Sequence, residues 1–146
     1  MRLMKAEKEH LIDAARLAGL LWPGHTPEEM QECVLEYMEY KEKTVLIAKE
    51  EGQLCGICFV SLRHDYVEGT ESSPVGYLEG IYVTEDKRGL GLARALLQSA
   101  QGWAKEMGCR EFASDCELGN TESLKFHLAC GFQEANRIIC FVKELA

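Results

Sequence analysis

Leu78-Glu79-Gly80-Ile81-Tyr82-Val83, followed after Thr84-Glu85-Asp86-Lys87 by Arg88-Gly89-Leu90-Gly91-Leu92-Ala93-Arg94, is the stretch on which the fold turns. Val75 to Val83 reads as a strand, rich in branched and aromatic residues but interrupted by Gly76 and Gly80. Glycine weakens a strand unless a bulge or a close backbone approach needs the missing side chain. Beyond Gly91, the apolar positions Ala93, Leu96, Leu97, Ala100, Trp103, Ala104 and Met107 share one helical face, and Gly108 supplies the C-terminal cap. A strand, a glycine-bearing loop and a helix N-terminus in succession present unpaired amides and the positive end of a helix dipole, an arrangement that suits a pyrophosphate. No Gly-Lys-Ser/Thr follows, and the six-residue glycine pattern of dinucleotide folds is absent. The same glycines would also serve an ordinary flexible loop.

On the N-terminal side, Leu11, Ala14, Ala15, Ala18, Leu21 and Trp22 form an amphipathic helix that must stop before Pro23-Gly24. Thr26-Pro27-Glu28-Glu29 restarts one with a capping box, and Met30, Cys33, Val34, Tyr37 and Met38 form its inner stripe. Thr44–Lys49 and Gln53–Leu62 are β-rich runs joined by a tight turn at Glu51-Gly52, and 63–74 reads as a loop. Cys109–Cys116 reads as a strand, Asn120–Cys130 as a helix stopped by Gly131, and Arg137–Val142 as a final strand. No repeat or linker divides the chain, so one domain over residues 1–146 is expected.

The 146 residues are 47% hydrophobic and 27% charged, the balance of a water-soluble globular domain that needs no metal or bridge to hold it. Sixteen basic against twenty-four acidic residues give a net charge of −8, which repels nucleic acid and anionic membrane and attracts polycations. Seven cysteines, an odd number scattered through apolar runs without a secretory leader, read as reduced thiols of a cytoplasmic protein. Cys55-Gly56-Ile57-Cys58 invites a zinc or redox reading, but a strand offset of three sends the two thiols to opposite faces, and core packing is expected instead. His10 and His64 are expected at the surface. No metal site is expected.

Arg88-Gly89-Leu90-Gly91-Leu92-Ala93 resembles the Arg/Gln-x-x-Gly-x-Gly/Ala signature of the GNAT superfamily of N-acetyltransferases, and the order of elements matches that fold. The resemblance implies an α/β architecture, a mixed and mostly antiparallel sheet splayed at a central bulge and flanked by helices, with acetyl-coenzyme A as cosubstrate. It implies that the backbone of Ile81, Tyr82 and Val83 pairs with the pantetheine amides. The amides of Gly89, Leu90, Gly91, Leu92, Ala93 and Arg94 would hold the pyrophosphate, and Asn120 would touch the pantetheine arm.

A narrower similarity runs through Leu21-Trp22-Pro23-Gly24-His25, Arg63-His64-Asp65-Tyr66, Ser72-Ser73-Pro74-Val75, Leu78-Glu79-Gly80-Ile81 and Ala113-Ser114-Asp115. These blocks are similar to those of aminoglycoside 6′-N-acetyltransferases of the chromosomal enterobacterial and Acinetobacter type. The similarity implies acetyl transfer to the 6′-amine of an aminoglycoside, and hence antibiotic resistance, with Trp22, His25, Tyr66, Glu79 and Asp115 contacting the drug. Where that family has a further acid this chain has Asn136, which removes one negative charge from the expected grip. Homodimers are implied, and the apolar run Ile138-Ile139-Cys140-Phe141 could mediate them or form an internal strand.

An amine attacks a thioester only as its neutral form, whereas a primary amine with a pKa of about 10 is protonated at neutral pH. Glu79, directly or through water, is the candidate base, and Asp115 would orient the ammonium. A backbone amide near Tyr82 or Val83 would stabilise charge on the carbonyl oxygen. Many GNAT relatives carry a tyrosine as general acid where this chain has His127, which could equally be a packed helical residue. Two rival readings remain at this stage, acetylation of a polyamine or other small natural amine, and a non-catalytic sensor that binds acetyl-coenzyme A.

Overall fold

The computed structural model describes residues 1–146. Five strands, β1 (Arg2–Lys5), β2 (Lys43–Glu50), β3 (Gln53–Arg63), β4 (Val75–Val83) and β5 (Phe112–Ser114), form one sheet in the order β1-β2-β3-β4-β5. The first three pairings are antiparallel and β4–β5 is parallel. One face carries α1 (Leu11–Leu21) and α2 (Pro27–Glu39), the other α3 (Leu92–Glu106) and α4 (Thr121–Ala129).

Local chemistry sets the elements. Thr26 Oγ1 accepts from the Glu29 amide at 3.1 Å while Glu29 accepts from the Thr26 amide at 2.8 Å, so the expected capping box opens α2. The β2–β3 hairpin turns on Glu51 and Gly52, both at positive φ (50° and 79°), as the tightest two-residue connections require. Gly108, at φ 94°, follows α3 in the left-handed conformation that ends helices.

Each face of the sheet has its own core. Leu92, Leu96, Leu97, Ala100, Trp103 and Ala104 of α3 pack on Leu46, Cys58, Val60 and Leu78, while Ala14, Leu17, Ala18, Met30 and Val34 pack on Val45, Ile47, Ile57 and Phe59. On β4 the alternation slips by one. Phe59 opposes Gly80 and Val60 opposes Leu78, which leaves Glu79 without a partner on β3. Leu78 therefore joins the α3-side core, and so do Ile81 and Val83, an odd step further on. Glu79 and Gly80 both end up toward α1 and α2, the signature of a bulge. The bulged residue is Glu79, and Gly80 answers a second need. A Cβ there would lie 2.6 Å from both Leu21 Cδ2 and Trp22 Cζ2.

Several expectations are corrected. A second bulge leaves Cys55 unpaired against β2, so Cys55 and Cys58 face the same α3-side core and not opposite faces; both are buried and unbridged, as is Cys109. His10 is buried, because its Nδ1 accepts the Glu7 amide at 2.9 Å and closes a short 3-10 turn. β1 was not expected, and the strand expected over 109–116 is only three residues long. No strand forms over Arg137–Val142. Residues 133–146 carry neither helix nor strand, and Ile138, Ile139, Phe141 and Val142 are 70–95% exposed. A run of branched residues fits a half-buried sheet surface, but it needs a neighbouring strand, and the chain's own sheet does not supply one.

The short β4–β5 contact is packed tightly at Gly76, where a Cβ would lie 2.6 Å from Ala104 Cβ and 2.7 Å from Phe112 Cδ1. Gly76→Ala is expected to cost about 1–3 kcal/mol in urea unfolding through overpacking. An unchanged midpoint would show that β5 is free to drift from β4.

Candidate active site

β4 and β5 pair only at Gly76–Leu78 and Phe112–Ser114, and then part. From Gly80 to Val83, β4 is paired with β3 alone, so its other edge has no strand partner along Ile81, Tyr82 and Val83, although the Val83 carbonyl is taken by Arg88. This is the splay that the family resemblance implies, and it opens directly after the bulge.

Val83 leads into a cavity of about 320 Å³ lined by Lys87, Arg88, Gly89, Gly91, Leu92, Ala93, Arg94, Phe126 and Cys130. Gly89 and Gly91 adopt φ of 81° and 83°, the left-handed conformation that glycine enters without strain. Gly91 caps α3 without a side-chain bond, and the first turn contains no acid. The leading amides are therefore free for an anion. Arg88 donates Nε to the Val83 carbonyl at 2.9 Å, and Arg94 donates to the Ala129 carbonyl at 2.9 Å, tying the loop to β4 and α3 to α4. These residues fit a diphosphate. Of the expected cofactor contacts, Leu90 does not line the cavity and is 65% exposed. Asn120 uses Oδ1 to accept the Ser123 amide at 3.1 Å, capping α4 and leaving its side-chain N–H groups free.

On the α1/α2 side lies a cluster of charge. Glu79 Oε2 accepts from Ser61 Oγ at 2.6 Å and from Arg63 Nε at 3.0 Å, and Oε1 accepts from Arg63 Nη2 at 2.7 Å. The Arg63 guanidinium lies 3.4 Å over the Tyr77 ring, and the Tyr77 hydroxyl donates to Asp115. Bonding to Glu79, above all, holds the Arg63 pKa above its ordinary value. Burial, then the bond to Asp115, raises that of Tyr77. Burial, then the nearby charge of Glu79, raises that of Tyr37. Trp22 packs on Phe59 with centroids 4.8 Å apart and covers Gly80, forming a wall beside Glu79.

The structure thus joins Glu79 and Asp115 through Arg63 and Tyr77, with Trp22 alongside. His25 is exposed, with Nδ1 4.0 Å from Glu29, and Tyr66 is exposed on the loop after β3. Asn136 donates Nδ2 to Glu68 at 2.9 Å, which pins the C-terminal segment to the loop that carries Tyr66. Neither His25 nor Tyr66 is bonded to the Glu79 cluster. His127 Nδ1 donates to the Ser123 carbonyl at 2.7 Å and Nε2 meets Ser114 Oγ at 2.8 Å, while the ring packs 5.0 Å from Phe132. It is a packed helical residue whose ring is fixed on both sides. Sequence reasoning missed Ser61, Arg63, Tyr77 and Tyr37. The available signal was the antiparallel alignment of 53–63 with 75–83, which brings Ser61 and Arg63 onto the face of Glu79.

Residues 12–132 match the model of the acetyltransferase (GNAT) family. The chain belongs to the GNAT family. Among GNAT proteins it is 38% identical over 145 residues to the aminoglycoside N(6′)-acetyltransferase type 1 of Acinetobacter genomosp. 13, with 99% of each chain covered. It is 42% identical over 132 residues to the enzyme of the same name from Stenotrophomonas maltophilia, covering 88% of this chain and 86% of that one. Its fold superposes with a TM-score of 0.95 on the aminoglycoside N-acetyltransferase AAC(6′)-Iy in complex with CoA, at 38% identity, covering 99% of this chain and 95% of that one. The TM-score is 0.94 at the same identity for AAC(6′)-Iy bound to the bisubstrate analogue CoA-S-monomethyl-acetylneamine, with 99% and 98% covered.

A side chain at Gly91 is disfavoured by about 1–2 kcal/mol in the left-handed conformation, so Gly91→Val is expected to misalign the loop amides and raise the Kd for coenzyme A about tenfold in titration calorimetry. Equal affinity in the folded variant would place the diphosphate elsewhere.

Proposed function

We propose that this GNAT protein is an acetyl-coenzyme A-dependent aminoglycoside 6′-N-acetyltransferase, and that it works by direct attack of the acceptor amine in a ternary complex. The observation that carries this reading is the placement of an anion cradle and a carboxylate cluster on either side of one bulged strand, in a chain closely similar to enzymes of that activity. The cradle amides from Gly89 to Arg94 take the diphosphate, and the free edge of Ile81–Val83 takes the pantetheine arm. The cosubstrate supplies an acetyl group activated as a thioester.

The chain's own residues then position and deprotonate the amine. An ionised carboxylate has about four lone-pair sites. Glu79, three of whose sites Ser61 and Arg63 hold at rest, accepts the proton of the 6′-ammonium, directly or through a water. Asp115, anchored by Tyr77, orients that ammonium, and Trp22 forms the wall of the seat. His25, Tyr66 and Asn136 contact the drug farther out. An amide at Tyr82 or Val83 polarises the thioester carbonyl. The acetylated nitrogen loses its charge and part of its donor capacity toward ribosomal RNA, and resistance follows.

Residues 1–146 act as one catalytic domain in the cytoplasm, a reading supported by seven unbridged cysteines and by the lack of any helix long and apolar enough to cross a membrane. The protein works as a homodimer. The support is the exposed apolar run Ile138–Val142, which has strand character and no strand partner in its own chain. A second copy supplies that partner.

Thiol release from acetyl-coenzyme A is expected with kanamycin, weakly with spermidine and not with neither; binding without turnover on any amine would make the protein a sensor. Glu79→Gln is expected to lower kcat by about 10²-fold or more with coenzyme A affinity unchanged, and unchanged turnover would remove Glu79 as the base. Asp115→Asn is expected to raise the KM for kanamycin about tenfold, the loss of one charge-assisted hydrogen bond.

A further inference from the structure

The seat assigned above to the acceptor ammonium already holds a cation of the chain's own. Arg63, the last residue of β3, meets Glu79 with a two-toothed fork at 2.7 and 3.0 Å, and its planar face is stacked 3.4 Å from the Tyr77 ring. Ser61 occupies a third site on the same carboxylate. Glu79 is thus nearly saturated before any substrate arrives, whereas Asp115 is hydrogen-bonded by the neutral Tyr77 hydroxyl and feels the Arg63 charge only through space.

We propose that Arg63 is a specificity-determining residue, an internal counter-ion that fills the ammonium seat on Glu79 and so restricts the acceptor to amines carrying at least one further ammonium group. The proposal rests on the acetyl-transfer reading above and deepens it by assigning the choice among amines to one side chain. A lone ammonium is a compact point charge with no fork to match a carboxylate and no flat face to stack on an aromatic ring. Arg63 is also tethered beside Glu79, since β3 and β4 are bonded neighbours, so its effective concentration there exceeds that of any free amine. A single charge therefore loses the exchange. A polycation does not, because it gains Asp115 as a second anchor at the moment it displaces Arg63 from the first. The Arg63 side chain is 42% exposed in its resting position, so it can swing into water. The discrimination arises from a competitor already seated, and a more open or more acidic cleft would lose it.

The test compares wild type, Arg63→Met and Arg63→Lys with two acceptors, kanamycin and 6-amino-6-deoxyglucose, a single-ammonium sugar bearing the same kind of primary amine. Arg63→Met is expected to raise kcat/KM for the mono-amine relative to that for kanamycin about tenfold, through the KM of the mono-amine. Arg63→Lys, which keeps the charge but loses the fork and the stacking, is expected to shift the ratio in the same direction by less, and it carries the test if the methionine variant does not fold. An unchanged ratio, or a fall in kcat for both acceptors at constant KM, would overturn the proposal and leave Arg63 as a holder of Glu79. If wild type fails to acetylate kanamycin, the proposed function falls instead. The proposal is then read by calorimetry, as tighter binding of the mono-amine to Arg63→Met than to wild type, and equal binding would overturn it.

Discussion

One unpaired residue in the fourth strand organises the molecule. Because Glu79 has no partner on β3, the side-chain alternation of β4 reverses there, and two successive residues, Glu79 and Gly80, point toward α1 and α2. The first is a carboxylate and the second has no side chain, which lets Trp22 close over the strand next to that carboxylate. Past the same point β4 loses contact with β5, so its outer edge is exposed main chain where a sheet would normally be closed. Had the strand run on regularly, Glu79 would have been directed as it is, but Gly80, Ile81 and Val83 would each have turned to the opposite face and the α3-side core could not have formed as it does.

In the proposed reaction the two substrates carry opposite charge, and the fold separates the places assigned to them. Lys87, Arg88, Arg94 and the uncapped start of α3 gather positive potential at one end of β4, within a chain whose net charge is −8. Glu79, paired at rest with Arg63, and Asp115 stand nearer its middle, on the face opposite α3. The thioester and the amine can therefore approach one another across a single strand, each held by groups that repel the other's carrier. Proximity of that kind, with orientation fixed by main-chain and carboxylate contacts, is a large part of what an acyl transfer between two bound partners needs.

Features set by short-range chemistry were legible in the sequence. The Thr26–Glu29 capping box, the Glu51-Gly52 turn, the limits of β4 and the glycine loop before α3 each follow from residues within a few positions of one another. What escaped depended on partners far along the chain. The central bulge was implied by the family resemblance, but that Glu79 is the bulged residue, and that β2 and β3 slip at Cys55, cannot be read from one strand alone, since a bulge is a mismatch between two; the face of Cys55 and the environment of Glu79 were lost for that reason. Arg63 lies sixteen residues from Glu79 and Tyr77 thirty-eight from Asp115, so only the folded pairing shows that they touch. The segment 137–142 has the composition of a strand, yet composition does not provide a neighbour.

The most direct test of the central claim, that the parted edge of β4 and the loop beyond it form the thioester nucleotide's seat, is amide hydrogen exchange with and without coenzyme A. Ile81, Val83 and the amides from Gly89 to Arg94 are expected to gain protection together on binding, with little change along β1 and β2. Saturable binding that leaves those amides as fast as before, or protects another surface, would contradict it.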